Sequence, residues 1–196
     1  MELYGKEKQD LFAYHLIGKR GTFLDIGCYH PFQWNNTAGL EKLGWTGLMF
    51  DISKKWVDMA NTHRKSPAFL VDVSTDKFAN ILKENLDDKC VDYISLDADG
   101  GSMGALRQIL NNGFSFKCMT FEHDFYQNGN KLKKPSKKLL KKHGYKILFE
   151  DNKLDDGKIW EDWWINPKHF DKDIFSISTV GEHYAKCVYK LMEYKL

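Results

Sequence analysis

Residues 22–51 read TFLDIGCYHPFQWNNTAGLEKLGWTGLMFD. A short apolar run, Phe23-Leu24, ends in Asp25-Ile26-Gly27; a polar turn and a short amphipathic segment follow, and a second apolar run from Gly47 to Phe50 ends in Asp51. Strand, turn, helix and strand, with a carboxylate at the tip of the second strand, is the opening half of a nucleotide-binding α/β sheet. Asp51 lies roughly 20 residues or more beyond the glycine turn, where a ribose-binding carboxylate is expected. The spacing points to a cofactor containing adenosine.

The turn itself narrows the choice. A dinucleotide needs Gly-x-Gly-x-x-Gly so that its pyrophosphate can approach the backbone at a helix N-terminus. Here Gly27 is followed by Cys28, Tyr29, His30, Pro31 and Phe32, with no further glycine. Bulky residues there obstruct a diphosphate, so NAD is disfavoured. S-adenosylmethionine carries no phosphate and needs one close backbone approach, which Asp25-x-Gly27 can supply.

Working outward, the run from Asp25 through Asn36-Thr37, then Leu40-Glu41 and Gly44-Trp45-Thr46-Gly47, resembles the FkbM-type S-adenosylmethionine-dependent methyltransferases. Asp92 to Gly101 (DYISLDADGG) resembles the second block of that family, and Phe121-Glu122-His123-Asp124 its third, where a strand ends in Glu. The three blocks occur in order over Phe23 to Asp124. Asp51 and Asp99 stand where the family commonly has Glu, and Pro31 where many members have Gly. The resemblance implies a Rossmann-like class I methyltransferase sandwich, a seven-strand, mostly parallel sheet with one antiparallel strand and helices on both faces. It also implies S-adenosylmethionine as cofactor and O-methylation of a small hydroxylated acceptor, a sugar or glycan residue.

The rest of the chain reads as the same architecture. Strands are expected over 22–26, 47–52, 68–73, 91–97, 116–122, 145–150 and 158–165, and helices over 10–17, 37–43, 54–62, 75–86, 102–111 and 135–143. Alternation of strand and helix implies a parallel sheet. The last two strands are separated only by an Asp- and Gly-rich turn, so they should form a hairpin with one antiparallel strand. At 196 residues the chain is expected to be one domain, residues 1–196, with a helical segment 1–20, a sheet core 22–166 and a C-terminal extension 167–196.

Composition bounds the partners. Lysine and arginine number 29 against 27 aspartates and glutamates, too near balance to imply a polyanionic partner, so nucleic acid is disfavoured. No apolar run suits a signal peptide or a membrane anchor. Cys28, Cys90, Cys118 and Cys187 have no metal-ligand spacing and read as buried thiols of a cytoplasmic protein. Residues 131–142 hold seven lysines in twelve positions, read as a solvated helix face rather than a docking face for an anionic polymer.

Ligands in open α/β sheets bind outside the carboxyl ends of the strands, where Asp25, Asp51, Asp72, Asp97 and Glu122 all fall. Asp51 is placed for the ribose hydroxyls and Asp72 for the adenine amino group; Gly27 permits close approach, and Asp25 can orient the amino-acid end. Asn36 and Thr37 match the family's Asn-Thr pair at the cofactor, and as helix caps they have a second use. Asp97, Asp99, Glu122, His123 and Asp124 form a second group. It supports three readings: Asp97, Glu122 and Asp124 as ligands of Mg²⁺ or another divalent cation, His123 or Asp124 with Asp97 as the base that activates a hydroxyl, or Asp97 and Glu122 holding the cofactor's ammonium or capping loops. His30 is expected either to touch substrate or to brace the Pro31 turn. Of the paired tryptophans Trp163 and Trp164, one is expected in the core and the other, assigned as Trp163, at a substrate wall, and Glu122 is likewise expected to touch substrate. Two classes of function stay open: a methyltransferase, on a small molecule or more weakly on a protein or nucleic acid, and a module that binds S-adenosylmethionine or a nucleotide without turnover. The acidic group favours the enzyme, since a pure binder gains nothing from such repulsion.

Overall fold

The computed structural model describes residues 4–194; of the expected terminal segments, residues 1–3 and 195–196 lie outside the described residues. Eight strands form one sheet: β1 (Thr22–Ile26), β2 (Thr46–Asp51), β3 (Ala68–Leu70), β4 (Cys90–Leu96), β5 (Ser115–Glu122), β6 (Lys146–Lys153), β7 (Ile159–Ile165) and β8 (Thr179–Val180). Their spatial order is β3-β2-β1-β4-β5-β7-β6-β8. β1 pairs in parallel with β2 and β4, and β4 with β5. β7 is inserted antiparallel between β5 and β6. The predicted hairpin and the single antiparallel strand are therefore present. The eighth strand was not expected: two residues beside β6 carry no periodicity that a sequence could display.

The chain runs from β1 outward through β2 to β3, then returns to the other side of β1 to make β4 and β5. This reversal between β1 and β4 opens a crevice at the strands' carboxyl ends. Among the described residues eight α-helices surround the sheet: α1 (Gln9–Ile17), α2 (Ala38–Lys42), α3 (Lys54–His63), α4 (Asp76–Asn85), α5 (Ser102–Asn111), α6 (Phe125–Asn128), α7 (Asn130–Lys142) and α8 (Tyr184–Glu193).

Two apolar layers hold the sheet, one on each face. Phe78 and Leu82 of α4, Leu106 and Ile109 of α5 and Leu140 of α7 pack against Leu24, Ile94 and Trp164. On the other face Phe12 of α1, Leu40 of α2, Val57 of α3 and Cys187 and Leu191 of α8 pack against Phe23, Tyr93 and Trp163. Adjacent residues of a strand point to opposite faces, which is why Trp163 and Trp164 enter different layers. Fully burying side chains of this size stabilises by about 1.5–3 kcal/mol each. The C-terminal extension is thus part of the core through α8 rather than an appendage. The lysine-rich helix α7 begins earlier than predicted and contains Pro135 in its interior. Among the described residues, no helix is long and apolar enough to cross a membrane.

Candidate active site

At the carboxyl ends of β1 to β5 lies a cavity of about 710 Å³, lined among others by Gly27, Asp51, Trp56, Asp72, Asp97 and Glu122. Pockets of about 300–1,000 Å³ are the usual size for small ligands.

Asp51 ends β2 at the cavity rim. Its Oδ2 accepts from the Tyr29 N–H at 2.9 Å and its Oδ1 from the Ser53 N–H at 2.7 Å. A carboxylate has about four lone-pair sites, so both oxygens retain capacity for a ligand's hydroxyls. Beside it stand Tyr29, with φ 48°, and Trp56, their ring centroids 4.3 Å apart. With the exposed Ile52 they make an apolar wall. Sequence reasoning missed this wall; Trp56 on the first turn of the helix after Asp51 was the available signal. Asp72 is exposed on the far side, where Oδ1 accepts from the Ser74 N–H at 2.9 Å and the Ser74 hydroxyl at 2.7 Å. Those two bonds, the hydroxyl's first, lower its pKa.

Gly27 is required by packing. Its φ is +84°, and a Cβ there would stand 1.6 Å from the Asp97 carbonyl oxygen. The tips of β1 and β4 are therefore pressed together by this residue, and the contact forms the cavity floor.

On that floor Asp97 follows β4 and Glu122 ends β5, brought side by side by the Leu96–Phe121 pairing. Asp97 opens onto the cavity but is hemmed in by protein. Burial first, then the charges of Asp99, Asp124 and Asp25, push its carboxyl up to about 7, against a bond from Glu122 that pulls it down. Glu122 is raised well above its usual range by burial, then by Asp97, Asp124 and Glu161. Two carboxyls this close share a proton rather than ionising together.

Several expected site residues lie elsewhere. Asp25 is buried behind the cavity wall and does not line it. It accepts from the Thr37 hydroxyl at 2.7 Å and from Asn35 Nδ2 at 3.0 Å. Burial raises its pKa, opposed by Thr37, Arg64 and Asn35. Arg64 completes the network, donating to Glu41 at 2.8 Å, the Pro31 carbonyl at 3.1 Å, Asn35 Oδ1 at 3.0 Å and the Thr37 hydroxyl at 3.1 Å. Asp25, Thr37 and Glu41, three residues of the family-like motif, thus serve to fix the 28–37 loop around a buried guanidinium. Nothing around Arg64 in the sequence marks it as their partner. Asn36 is half-buried outside the cavity and donates to Ser95 Oγ at 3.0 Å. Asn35, rather than Thr37, caps α2, its Oδ1 accepting from the Thr37 and Ala38 N–H groups. His30 Nδ1 accepts from the Phe32 and Gln33 N–H groups, which braces the Pro31 turn.

Three expectations are corrected. Trp163 is no substrate wall: it is fully buried, its ring 4.7 Å from that of Phe12, and its Nε1 donates to Glu161. His123 is fully buried and turned away from the cavity, so it reaches no acceptor there as a base. Asp97, Glu122 and Asp124 are not, among the described residues, a group whose donor atoms all lie within 4.8 Å of one another, although Asp124 stands close enough to act on Glu122. Among the described residues, the group of three with donor atoms all within 4.8 Å of one another is His123, Asp151 and Asp162. Asp124 is also nine-tenths buried and absent from the cavity lining.

No family model matches the chain, and no curated protein does. Solved structures do. M. capricolum TrmK in complex with S-adenosyl-homocysteine is 16% identical, with a TM-score of 0.58 over 89% of this chain and 75% of that one. An O-methyltransferase from Bacillus cereus, also with that product, is 14% identical, with a TM-score of 0.55 over 82% and 80%. A TehB-like S-adenosylmethionine-dependent methyltransferase from Corynebacterium glutamicum is 12% identical, with a TM-score of 0.55 over 81% and 87%. The sheet order, the single antiparallel strand and these likenesses together establish that the chain has the Rossmann-like fold of class I methyltransferases.

Proposed function

We propose that this protein is an S-adenosylmethionine-dependent O-methyltransferase of the FkbM type, acting on a hydroxyl of a small acceptor, a sugar or glycan residue. One observation carries the reading: a single cavity at the reversal of strand order joins a ribose-competent carboxylate and an aromatic wall to a proton-sharing carboxyl pair. The lining fits the cofactor. Asp51 accepts from the ribose hydroxyls, Tyr29, Ile52 and Trp56 cover the adenine, and Asp72 accepts from its amino group. Asp97 and Glu122, both acidic, face the cationic end.

When bound, S-adenosylmethionine supplies an electrophilic methyl group on a sulfonium. The chain's residues position the acceptor and move its proton. A sugar hydroxyl is a poor nucleophile while neutral, and Asp97, with a pKa of about 7, is matched to remove its proton near neutral pH. Glu122, holding a proton, donates a hydrogen bond that keeps Asp97 oriented. Asp97 would take the acceptor's hydroxyl proton while the bound cofactor supplied the methyl group, and Glu122 would hold Asp97 in place for that transfer.

Mass spectrometry of cellular glycans and small metabolites, with and without the protein, tests the acceptor. A methyl ether that appears only with the active protein supports the reading. Methyl groups gained only on RNA or protein would replace it.

A further inference from the structure

A second polar centre lies behind the cavity, between the end of β5 and the β6–β7 hairpin. His123 follows β5, Asp162 lies in β7 and Asp151 in β6. His123 Nε2 stands 3.6 Å from Asp162 Oδ1, and the donor atoms of all three residues lie within 4.8 Å of one another. His123 and Asp162 are fully buried. Neither ring nitrogen of His123 has a hydrogen-bond partner, and Asp162 Oδ2 has none. Leaving a buried polar group unpaired costs about 1–3 kcal/mol, so a buried imidazole with no hydrogen bond at either nitrogen, and only the 3.6 Å approach of Asp162 beside it, needs a reason.

Two lysines of α7 partly account for the carboxylates. Lys133 Nζ is 2.7 Å from Asp151, and Lys137 Nζ is 3.4 Å from both Asp151 and Asp162. Neither hydrogen-bonds the imidazole. With Glu150, 2.7 Å from Lys137, three carboxylates face two ammoniums, which leaves an excess of negative charge at the bare imidazole.

We propose that His123 Nε2 and one oxygen each of Asp162 and Asp151 form a site for a single divalent first-row transition ion. Ligands at about 2.0–2.2 Å from such an ion stand roughly 3–4 Å apart, which the His123–Asp162 separation already satisfies. One imidazole among three ligands favours Mn²⁺, Fe²⁺ or Zn²⁺ over Mg²⁺ and Ca²⁺, which take oxygen. Lys137 keeps Glu150 as partner when the ion enters, and Lys133 can turn outward on its flexible stem. The ion ties β5, β6 and β7 together one residue beyond Glu122. Its role is to hold that wall of the cavity, whichever acceptor the enzyme uses.

Calorimetry of the chelator-stripped full chain with MnCl₂ and ZnCl₂, and melting with and without each, tests the site. Cys90 Sγ lies 3.8 Å from His169 Nε2 at the surface, a pair able to capture Zn²⁺, so a Cys90→Ser background is used throughout. One ion per chain and a melting point raised by several degrees are expected. Loss of even an outer-shell partner costs about 10–100-fold in metal affinity. Asp151→Asn, a half-buried change that leaves the core closed, should therefore weaken binding at least about tenfold. His123→Ala should abolish it. No saturable binding of either ion would overturn the proposal. So would wild-type affinity in Asp151→Asn, a variant whose fold does not depend on the outcome for His123→Ala. Loss of the ion in Asp97→Asn but not in Asp151→Asn would assign the ion to the cavity instead.

Discussion

Replacing Asp97 by asparagine should make the protein more stable and nearly inactive at the same pH. Its carboxyl has an ordinary value of 3.8 and is pushed up to about 7 in the fold. Between those values the folded chain binds more protons than the unfolded one, so Asp97 makes stability fall as pH rises. Its favourable contribution is complete below about pH 4 and gone above about pH 7. Sealed from water, such a displacement would be worth about 4 kcal/mol. Asp97 opens onto the cavity, and solvent screening reduces this to about 1–2 kcal/mol. Asparagine keeps the shape without the charge. At pH 8 the variant should melt about 3–6 °C above the wild type, and at pH 4 the difference should vanish. Turnover should drop by about 10²-fold or more, with affinity for S-adenosyl-homocysteine kept within a few-fold. The wild-type rate should rise with pH through about 7 as Asp97 ionises, and this limb should disappear in the variant. Calorimetric melts and initial rates across pH 4–9 measure all of this. A variant with full turnover and an unchanged pH profile would refute the role of Asp97 as base. A variant less stable than the wild type at pH 8 would refute the electrostatics.

Asp51→Ala should weaken S-adenosyl-homocysteine binding by about 1–3 kcal/mol in titration calorimetry, the loss of charge-assisted bonds to the ribose, with folding retained. NAD and NADP should show no saturable micromolar binding in the same assay, since the turn after Gly27 offers no glycine to a pyrophosphate. Arg64→Met should destabilise by about 3–5 kcal/mol in urea, because it strands buried Glu41 and weakens the support of Asp25. Trp163→Ala should cost about 3–5 kcal/mol through its cavity, while the protein still folded binds the cofactor product as the wild type does.

The sheet was legible in the sequence because its evidence is local. Apolar runs punctuated by Gly27, Asp51 and Asp97 mark strands and their ends, and a hairpin with no helix between its strands cannot be parallel. Asp51, Asp72, Asp97 and Glu122 could be assigned to one crevice because strand-end position in an α/β sheet predicts it. Which way a side chain turns is a different kind of information. Asp25 and Asp51 both sit at strand ends, yet one is bonded to Asn35 and Thr37 inside the loop and the other faces the cavity, and only the packing of the 28–37 loop around Arg64 decides that. Glu122 and His123 are neighbours in sequence and part company at the end of β5, one to the cavity and one to the β6–β7 hairpin. The sequence divides Trp163 and Trp164 between core and site, but that the Trp163 face is closed over by α1 and α8 is a fact of long-range packing. Residues far apart in the chain carry no local sign of their contact. Sequence therefore determined the strands, the crevice and its carboxylates, and the tertiary structure decided which of those carboxylates a ligand can reach.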